Sequence, residues 1–289
     1  IRLCDTAIVG YCYWYESMGR QFGLHITPLT VADKFGEQLN NKEAAWIFTS
    51  ATLEVGGTFN HFCQRLGIEQ AEQKILHSPF DYPNQSLLCV PRYLPATNQN
   101  NTQALGEMLL PIIEANKGRC FVLCTSYLMM RGLAEYFREK SELSILLQGE
   151  MPKVKLLEQF IHETHSVLVA TSSFWEGVDV RGDALSLVII DKLPFTAPDE
   201  PLLKARIEDC RLQGGDPFND IQIPEAVITL KQGVGRLIRD VTDRGAVIIC
   251  DNRLVMRNYG ETFLKSLPNS TRTRDLNKVV QFLQNEKMD

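Results

Sequence analysis

From Leu87 to Cys250 the chain repeats one pattern, in which a short apolar run is followed by a turn, a longer amphipathic stretch and another apolar run. The runs are Leu87 to Val90, Cys120 to Cys124, Ser144 to Leu147, Val167 to Ala170, Leu185 to Ile190 and Ala246 to Cys250. Helical periodicity fills Thr102 to Ala115, Leu128 to Glu139, Lys153 to Glu163, Leu202 to Leu212 and Glu225 to Arg239. A strand that is apolar at every position must be covered on both faces, and a strand followed by a helix returns to its sheet in parallel. The repeat therefore predicts an α/β fold with a central, mainly parallel sheet flanked by helices. Ligand-binding loops in such folds lie at the C-terminal edge of the strands.

The flanks are less regular. Tyr11, Tyr13, Trp14, Tyr15 and Phe22, followed by the alternating Leu24-His25-Ile26-Thr27, favour strand. Rings of this kind pack in a core or stack on the bases of a single strand. Val31 to Leu39 reads as a short helix ended by Asn40-Asn41. Ala44 to Phe48 reads as a short buried strand that delivers the hydroxyls of Ser50 and Thr52 to its end, or leaves them as a simple hydroxyl turn or helix cap. Gly56-Gly57 breaks the chain before a helix over Phe59 to Leu66, and Ser78 to Pro83 has the prolines of a linker. The division expected is therefore residues 1–75 and 76–289. The tail from Tyr259 reads as one or two helices, separated at Pro268.

Composition narrows the function classes. With 44% apolar and 22% charged residues the chain is an ordinary globular sequence. It has no apolar run near the ~18 residues of a membrane span and no signal-peptide pattern, so the cytoplasm is expected and a membrane is not. A net charge of −5 argues against a surface that coats nucleic acid and confines any such contact to a local groove. The eight cysteines form no C-x-x-C, and Cys89, Cys120, Cys124 and Cys250, in apolar surroundings, read as reduced core residues. His162-Glu163-Thr164-His165 is one residue short of the spacing that puts two histidines on one helical face, so no metal site is expected. Asp199-Glu200 before Pro201 reads as the capped start of a helix. The chain begins at Ile1 without a methionine, which reads as a piece of a longer polypeptide.

Four segments carry chemistry. At 100° per residue, Gln232, Gly235, Arg236 and Arg239 share one helical stripe, opposite Val227, Leu230, Val234, Leu237 and Ile238. Two guanidiniums beside an amide suit phosphate oxygens, unless they lie in water or pair with Asp240 and Asp243. Thr125 and Ser126 follow an apolar run, where short hydroxyls and free N–H groups bind phosphodiester oxygens or cap a helix, and both roles can hold together. Gln148-Gly149 occupies the corresponding place after the next run. Thr171 to Asp179 combines hydroxyls, a glycine that admits close approach, and carboxylates suited to a ribose hydroxyl or an arginine.

The string Q-x-x-G-R-x-x-R from Gln232 to Arg239 resembles motif VI of superfamily 2 helicases. Thr49 to Leu53, Thr125-Ser126 and Thr171 to Asp179 resemble motifs III, IV and V of that family, in the right order, and the form F-W-E-G-x-D from Phe174 to Asp179 resembles the DinG/XPD-like branch. The resemblance runs from about Trp46 to about Arg257. It implies a RecA-like second motor domain preceded by the end of the first, and an ATP-dependent DNA helicase of 5′ to 3′ polarity. By the same resemblance Arg236 and Arg239 are arginine fingers, with Gln232 at the terminal phosphate. Glu176, Gly177, Asp179 and Gly235 lie toward the nucleotide. Ser50, Thr52, Thr125, Ser126, Gln148, Thr171 and Ser172 lie toward single-stranded DNA. No G-x-x-x-x-G-K-[ST] and no acidic pair after a strand occur, so ATP and Mg²⁺ would be shared with an N-terminal half, and the chain alone is not expected to hydrolyse ATP. The family's iron–sulfur cluster is expected, if anywhere, in the full-length protein and not in this chain. A replication or repair protein is a further expected partner. Two other readings stay open: a catalytically silent DNA- or partner-binding module, and a metabolic α/β enzyme with its phosphate site at Gln232 to Arg239.

Overall fold

The computed structural model describes residues 9–41, 44–94, 102–171, 174, 180 and 184–285. These form two compact units, one drawn from residues 1–76 and 195–228, the other from residues 77–194 and 229–289.

In the first unit β1 (Tyr11–Met18) and β2 (Gln21–Pro28) pair as an antiparallel hairpin across Gly19-Arg20, with Tyr11 opposite Pro28 and Met18 opposite Gln21. The aromatic content explains the pairing: Trp14 stacks on His25 at 3.9 Å, and its indole N–H donates to Thr27 Oγ1 at 3.2 Å. Helix α1 (Ala32–Asn40) follows, then α2 (Asn60–Leu66). Gly67 ends α2 in the left-handed region at φ 64°, where an added Cβ would collide with the Ala32 carbonyl. The strand expected over Ala44 to Phe48 does not form. The segment is irregular and open to solvent, with Ile47 85% exposed. An apolar run becomes a strand only beside another strand, and in this unit β1 and β2 pair with each other. Trp46 and Phe48 instead cluster with Phe35 and Phe62 at centroid distances of 5.5–6.5 Å.

The second unit is built on a seven-stranded sheet in the order β5-β6-β4-β7-β8-β3-β9, parallel throughout. Its strands are β3 (Ser86–Cys89), β4 (Cys120–Leu123), β5 (Ser144–Leu147), β6 (Ser166–Ala170), β7 (Leu187–Ile190), β8 (Gly245–Ile249) and β9 (Thr271–Thr273). They are interleaved with α3 (Tyr82–Gln85), α4 (Thr102–Ala115), α5 (Tyr127–Lys140), α6 (Lys153–His162), α7 (Pro201–Leu212, in the first unit), α8 (Ile223–Val234, in the first unit as far as Ile228), α9 (Arg253–Met256), α10 (Gly260–Ser266) and α11 (Leu276–Gln284). Glu200 caps α7 by accepting from the Leu203 N–H, with Pro201 at the first turn, as its sequence implies.

One sheet face buries Cys120, Val122, Val167, Val169, Leu187 and Ile189 against Leu109, Ile113, Met130, Leu133 and Phe137. On the other, Phe121 packs on Phe160 of α6 at 4.7 Å. Each such side chain contributes ~1.5–3 kcal/mol on removal from water. The thiols of Cys89, Cys120, Cys124 and Cys250 are buried and free, and burial pushes Cys89 up to about 12. The tail departs from expectation: besides α10 and α11 it adds β9, which pairs with β3 at the sheet edge. The Thr-Arg-Thr of β9 has no apolar signal, because its strand state comes from the backbone of its neighbour. Among the described residues, no helix is long and apolar enough to cross a membrane.

Candidate functional site

Polar groups gather where the parallel strands of the second unit end. Cys124 carries β4 into Thr125 and Ser126, and Ser126 caps α5 with extended backbone, its Oγ accepting from the Met129 N–H at 3.2 Å. Thr125 donates its N–H to Asp191 Oδ1 at 2.8 Å and its hydroxyl to Oδ2 at 3.0 Å. Asp191 is the first residue after β7, only 3% exposed, and its own N–H donates to the Leu123 carbonyl at 3.2 Å. Burial raises its carboxyl to about 6, against the opposing pull of the Thr125 hydrogen bonds and Lys192. The sequence reading missed Asp191, although a carboxylate placed directly after an apolar run at the C-terminal edge was the available signal.

The neighbouring strands repeat the arrangement. Gln148, after β5, holds the start of the Thr171 segment after β6: its Oε1 accepts the Thr171 N–H at 2.6 Å and the Thr171 hydroxyl at 3.0 Å. Gly149 turns the chain away at φ 99°. Thr125, Ser126, Gln148 and Thr171, separate in sequence, thus line the ends of adjoining strands. Ser172, Glu176, Gly177 and Asp179 lie outside the described residues. Ser50 and Thr52 belong to the first unit, where they form an exposed hydroxyl turn in which Ser50 Oγ accepts from the Thr52 N–H at 3.2 Å.

The arginine segment corrects the sequence reading. Helix α8 stops at Val234, and the hydrogen bonds tighten from Gly235 N–H to the Lys231 carbonyl (2.8 Å) to Arg236 N–H on Gly233 (3.3 Å) and Leu237 N–H on Val234 (3.2 Å). Gln232 is therefore helical, Gly235 and Arg236 sit in the closing turn, and Arg239 lies beyond it. The expected helical stripe is not formed. Gly233 and Gly235 each disfavour helix by ~1 kcal/mol against alanine. Asp243 supplies a competing partner, its Oδ2 accepting the N–H groups of Arg239 at 2.7 Å and Asp240 at 2.8 Å. Gln85 closes the loop by donating its amide N–H groups to the carbonyls of Asp240, Val241 and Asp243 at 2.9–3.1 Å. Val227, Leu230, Val234, Leu237 and Ile238 are buried, as the apolar side of the motif requires. Arg236 and Arg239 are half-buried, and Gln232 Oε1 is buried without a hydrogen-bond partner.

Asp251, wholly buried after β8, accepts the Leu193 N–H at 2.9 Å and grips the Arg253 guanidinium at 2.6–3.1 Å. Glu163 of the H-E-x-H string is held by Ser144 and Gln159, whose hydrogen bonds draw its carboxyl below the ordinary range. Among the described residues, no group of three or more His, Cys, Asp and Glu side chains is placed to hold a metal ion.

Comparison with known proteins places this geometry. Residues 109–270 match the model of the helicase C-terminal domain family. The chain is 90% identical over 286 residues to an ATP-dependent DNA helicase of Haemophilus influenzae, covering 99% of this chain and 45% of that protein. It is 66% identical over 283 residues to an ATP-dependent DNA helicase of Escherichia coli, covering 98% and 44%. It is 34% identical to the helicase DinG of Mycobacterium tuberculosis, covering 89% and 39%. The chain thus spans less than half the length of these relatives. Among solved structures, XPD_APO superposes with a TM-score of 0.65 at 20% identity, covering 92% of this chain and 54% of that one, and shares its RecA-like fold. The family match, the high-identity relatives and the fold agree: this chain belongs to the helicase C-terminal domain family, as a DinG/XPD-like superfamily 2 region.

Proposed function

We propose that this chain is the C-terminal half of an ATP-dependent DNA helicase that moves 5′ to 3′. The observation that carries this reading is the 90% identity, over 99% of the chain, to a protein described as an ATP-dependent DNA helicase. Residues 1–75 would complete the first motor domain, and residues 76–289 would form the second. ATP and Mg²⁺ would bind in a cleft shared with the N-terminal half of the polypeptide. Arg236, in the turn after α8, and Arg239, just beyond it, would reach the phosphates, and the buried, unsatisfied Oε1 of Gln232 would gain a partner when the nucleotide and its water arrive. Glu176, Gly177, Asp179 and Gly235 would line the nucleotide side. Ser50, Thr52, Thr125, Ser126, Gln148, Thr171 and Ser172 would follow a single DNA strand. The chain alone would be inactive, without an iron–sulfur cluster, and the full polypeptide would work in the cytoplasm.

Ending α8 before Arg236 suits this role, because an arginine in a turn can follow a moving phosphate more readily than one fixed on a helix. Arginine fingers contribute ~10³- to 10⁵-fold to phosphoryl-transfer rates. In the full-length polypeptide, Arg236→Ala is expected to lower single-strand-stimulated ATP turnover by about 10³-fold. Turnover within about twofold of the parent would remove the finger assignment.

A further inference from the structure

The segment that carries Arg239 has no regular structure of its own. Helix α8 ends at Val234 and β8 begins at Gly245, and beyond buried Ile238 the chain turns out to solvent, with Val241 69% exposed. A long side chain on such a loop is placed only as well as the backbone beneath it. Two side chains hold that backbone, one through its donors and one through its acceptors. Asp243 takes the N–H groups of Arg239 and Asp240. Gln85, 155 positions before Asp240 in the chain, donates to the carbonyls of Asp240, Val241 and Asp243 at 3.1, 3.0 and 2.9 Å. Three carbonyl oxygens can be faced by the amide nitrogen and not by the amide oxygen, so the side chain has one workable orientation and shares its two protons among three acceptors. Without it, three carbonyl dipoles would converge on one spot with no donor between them. Gln85 itself stands on a fixed base. It is the last residue of α3, and its N–H donates to the Asp81 carbonyl at 2.8 Å. Thr271 of β9 donates its hydroxyl to the Pro83 carbonyl at 2.7 Å, and Ser86, 3% exposed at the start of β3, donates to the Tyr82 carbonyl at 3.0 Å. The sheet therefore holds α3, α3 holds Gln85, and Gln85 holds the loop.

We propose that Gln85 is a positioning residue for Arg239: by gathering the carbonyls of Asp240, Val241 and Asp243 it fixes the loop from which the guanidinium is offered to the phosphoryl group in transfer. This rests on the arginine-finger reading given above and deepens it by adding a residue outside the Gln232 to Arg239 string. Gln85 acts through Arg239 and not on the nucleotide. A finger acts on charge that develops in the transition state, so its misplacement lowers kcat and leaves the KM for ATP where it was. A displacement of about 1 Å is enough to cost ~10²-fold in rate.

The test is a double-mutant cycle in the full-length polypeptide, read as ATP turnover stimulated by an oligothymidylate. Gln85→Met keeps the length of the side chain and removes its donors. It should lower kcat by about tenfold to 10²-fold while the KM for ATP stays within about twofold of the parent. In an Arg239→Ala background the same change should lower kcat by less than about twofold further, because the group it positions is already gone. Gln85→Asn keeps both donors but withdraws them by one methylene, and it should lower kcat in the same direction, again with no further effect once Arg239 is removed; it decides the matter if Gln85→Met does not fold. A kcat within about twofold of the parent in both Gln85 variants overturns the assignment. So does an equal loss with and without Arg239, which a purely structural role would give. If Arg239→Ala alone leaves turnover within about twofold, the finger reading itself falls, and this inference with it; a slow Arg239→Ala beside silent Gln85 variants sinks the positioning role and leaves the finger standing.

Discussion

Asp191→Asn is expected to remove a pH-dependent weakness in the fold. The Asp191 carboxyl rises from 3.8 to about 6 chiefly because it is buried, and a rise of that size corresponds to about 3 kcal/mol of folding free energy. In the unfolded chain the carboxyl loses its proton near its ordinary value, whereas the folded protein retains it to about pH 6. Between these values the folded state binds more protons, so raising the pH takes stability away. The contribution is fully present below pH 3.8 and is lost as the pH passes through about 6. Asparagine at this position does not titrate. Urea unfolding of the chain and of Asp191→Asn across this window should therefore give a stability difference, parent minus variant, that falls by about 3 kcal/mol as the pH rises to about 7, with no further fall above it. Taking the difference cancels the carboxylates the two proteins share. A difference flat to within about 0.5 kcal/mol would refute the reasoning, because the hydrogen bonds from Thr125 would then fully offset the cost of burying the charge.

Asp243→Ala should destabilise the second unit by about 3 kcal/mol through loss of two charge-assisted hydrogen bonds, lowering the melting temperature by about 6–12 °C; a thermal melt that moves by less than about 2 °C would show that the loop closes without it. Gln85→Ala leaves the same loop's carbonyls without their amide and should cost about 1–2 kcal/mol, less than additively when combined with Asp243→Ala, as a double-mutant cycle in urea would record. Phe137→Ala opens the core between α5 and the sheet and should cost about 3–5 kcal/mol in the same assay. The thiols of Cys89, Cys120, Cys124 and Cys250, buried and shifted upward, should resist alkylation at neutral pH until the protein unfolds, while partly exposed Cys63 reacts first; mass spectrometry of the labelled peptides would read the order.

The parallel sheet was legible before any coordinates because its strands are apolar throughout and bounded by turns, a pattern that requires cover on both faces. Cys120 to Leu123 and Val167 to Ala170 could hardly be anything else. Elements that depend on a neighbour were not legible. Ala44 to Phe48 has the composition of a strand and no strand beside it, whereas Thr271–Thr273 has no such composition and joins the sheet because β3 offers its edge. The end of α8 followed the same logic. Periodicity carried the helix to Arg239, but Asp243, eleven residues after Gln232 in the chain, competes for the backbone N–H groups of Arg239 and Asp240 and stops it at Val234. The order of motifs pointed to the polar residues of the site, and the sequence alone determined which residue types stand where the strands end. Only the tertiary structure decided where each proton goes, because a hydroxyl's role depends on the acceptor that folding brings to it, and Asp191 reaches Thr125 from a strand 66 positions away.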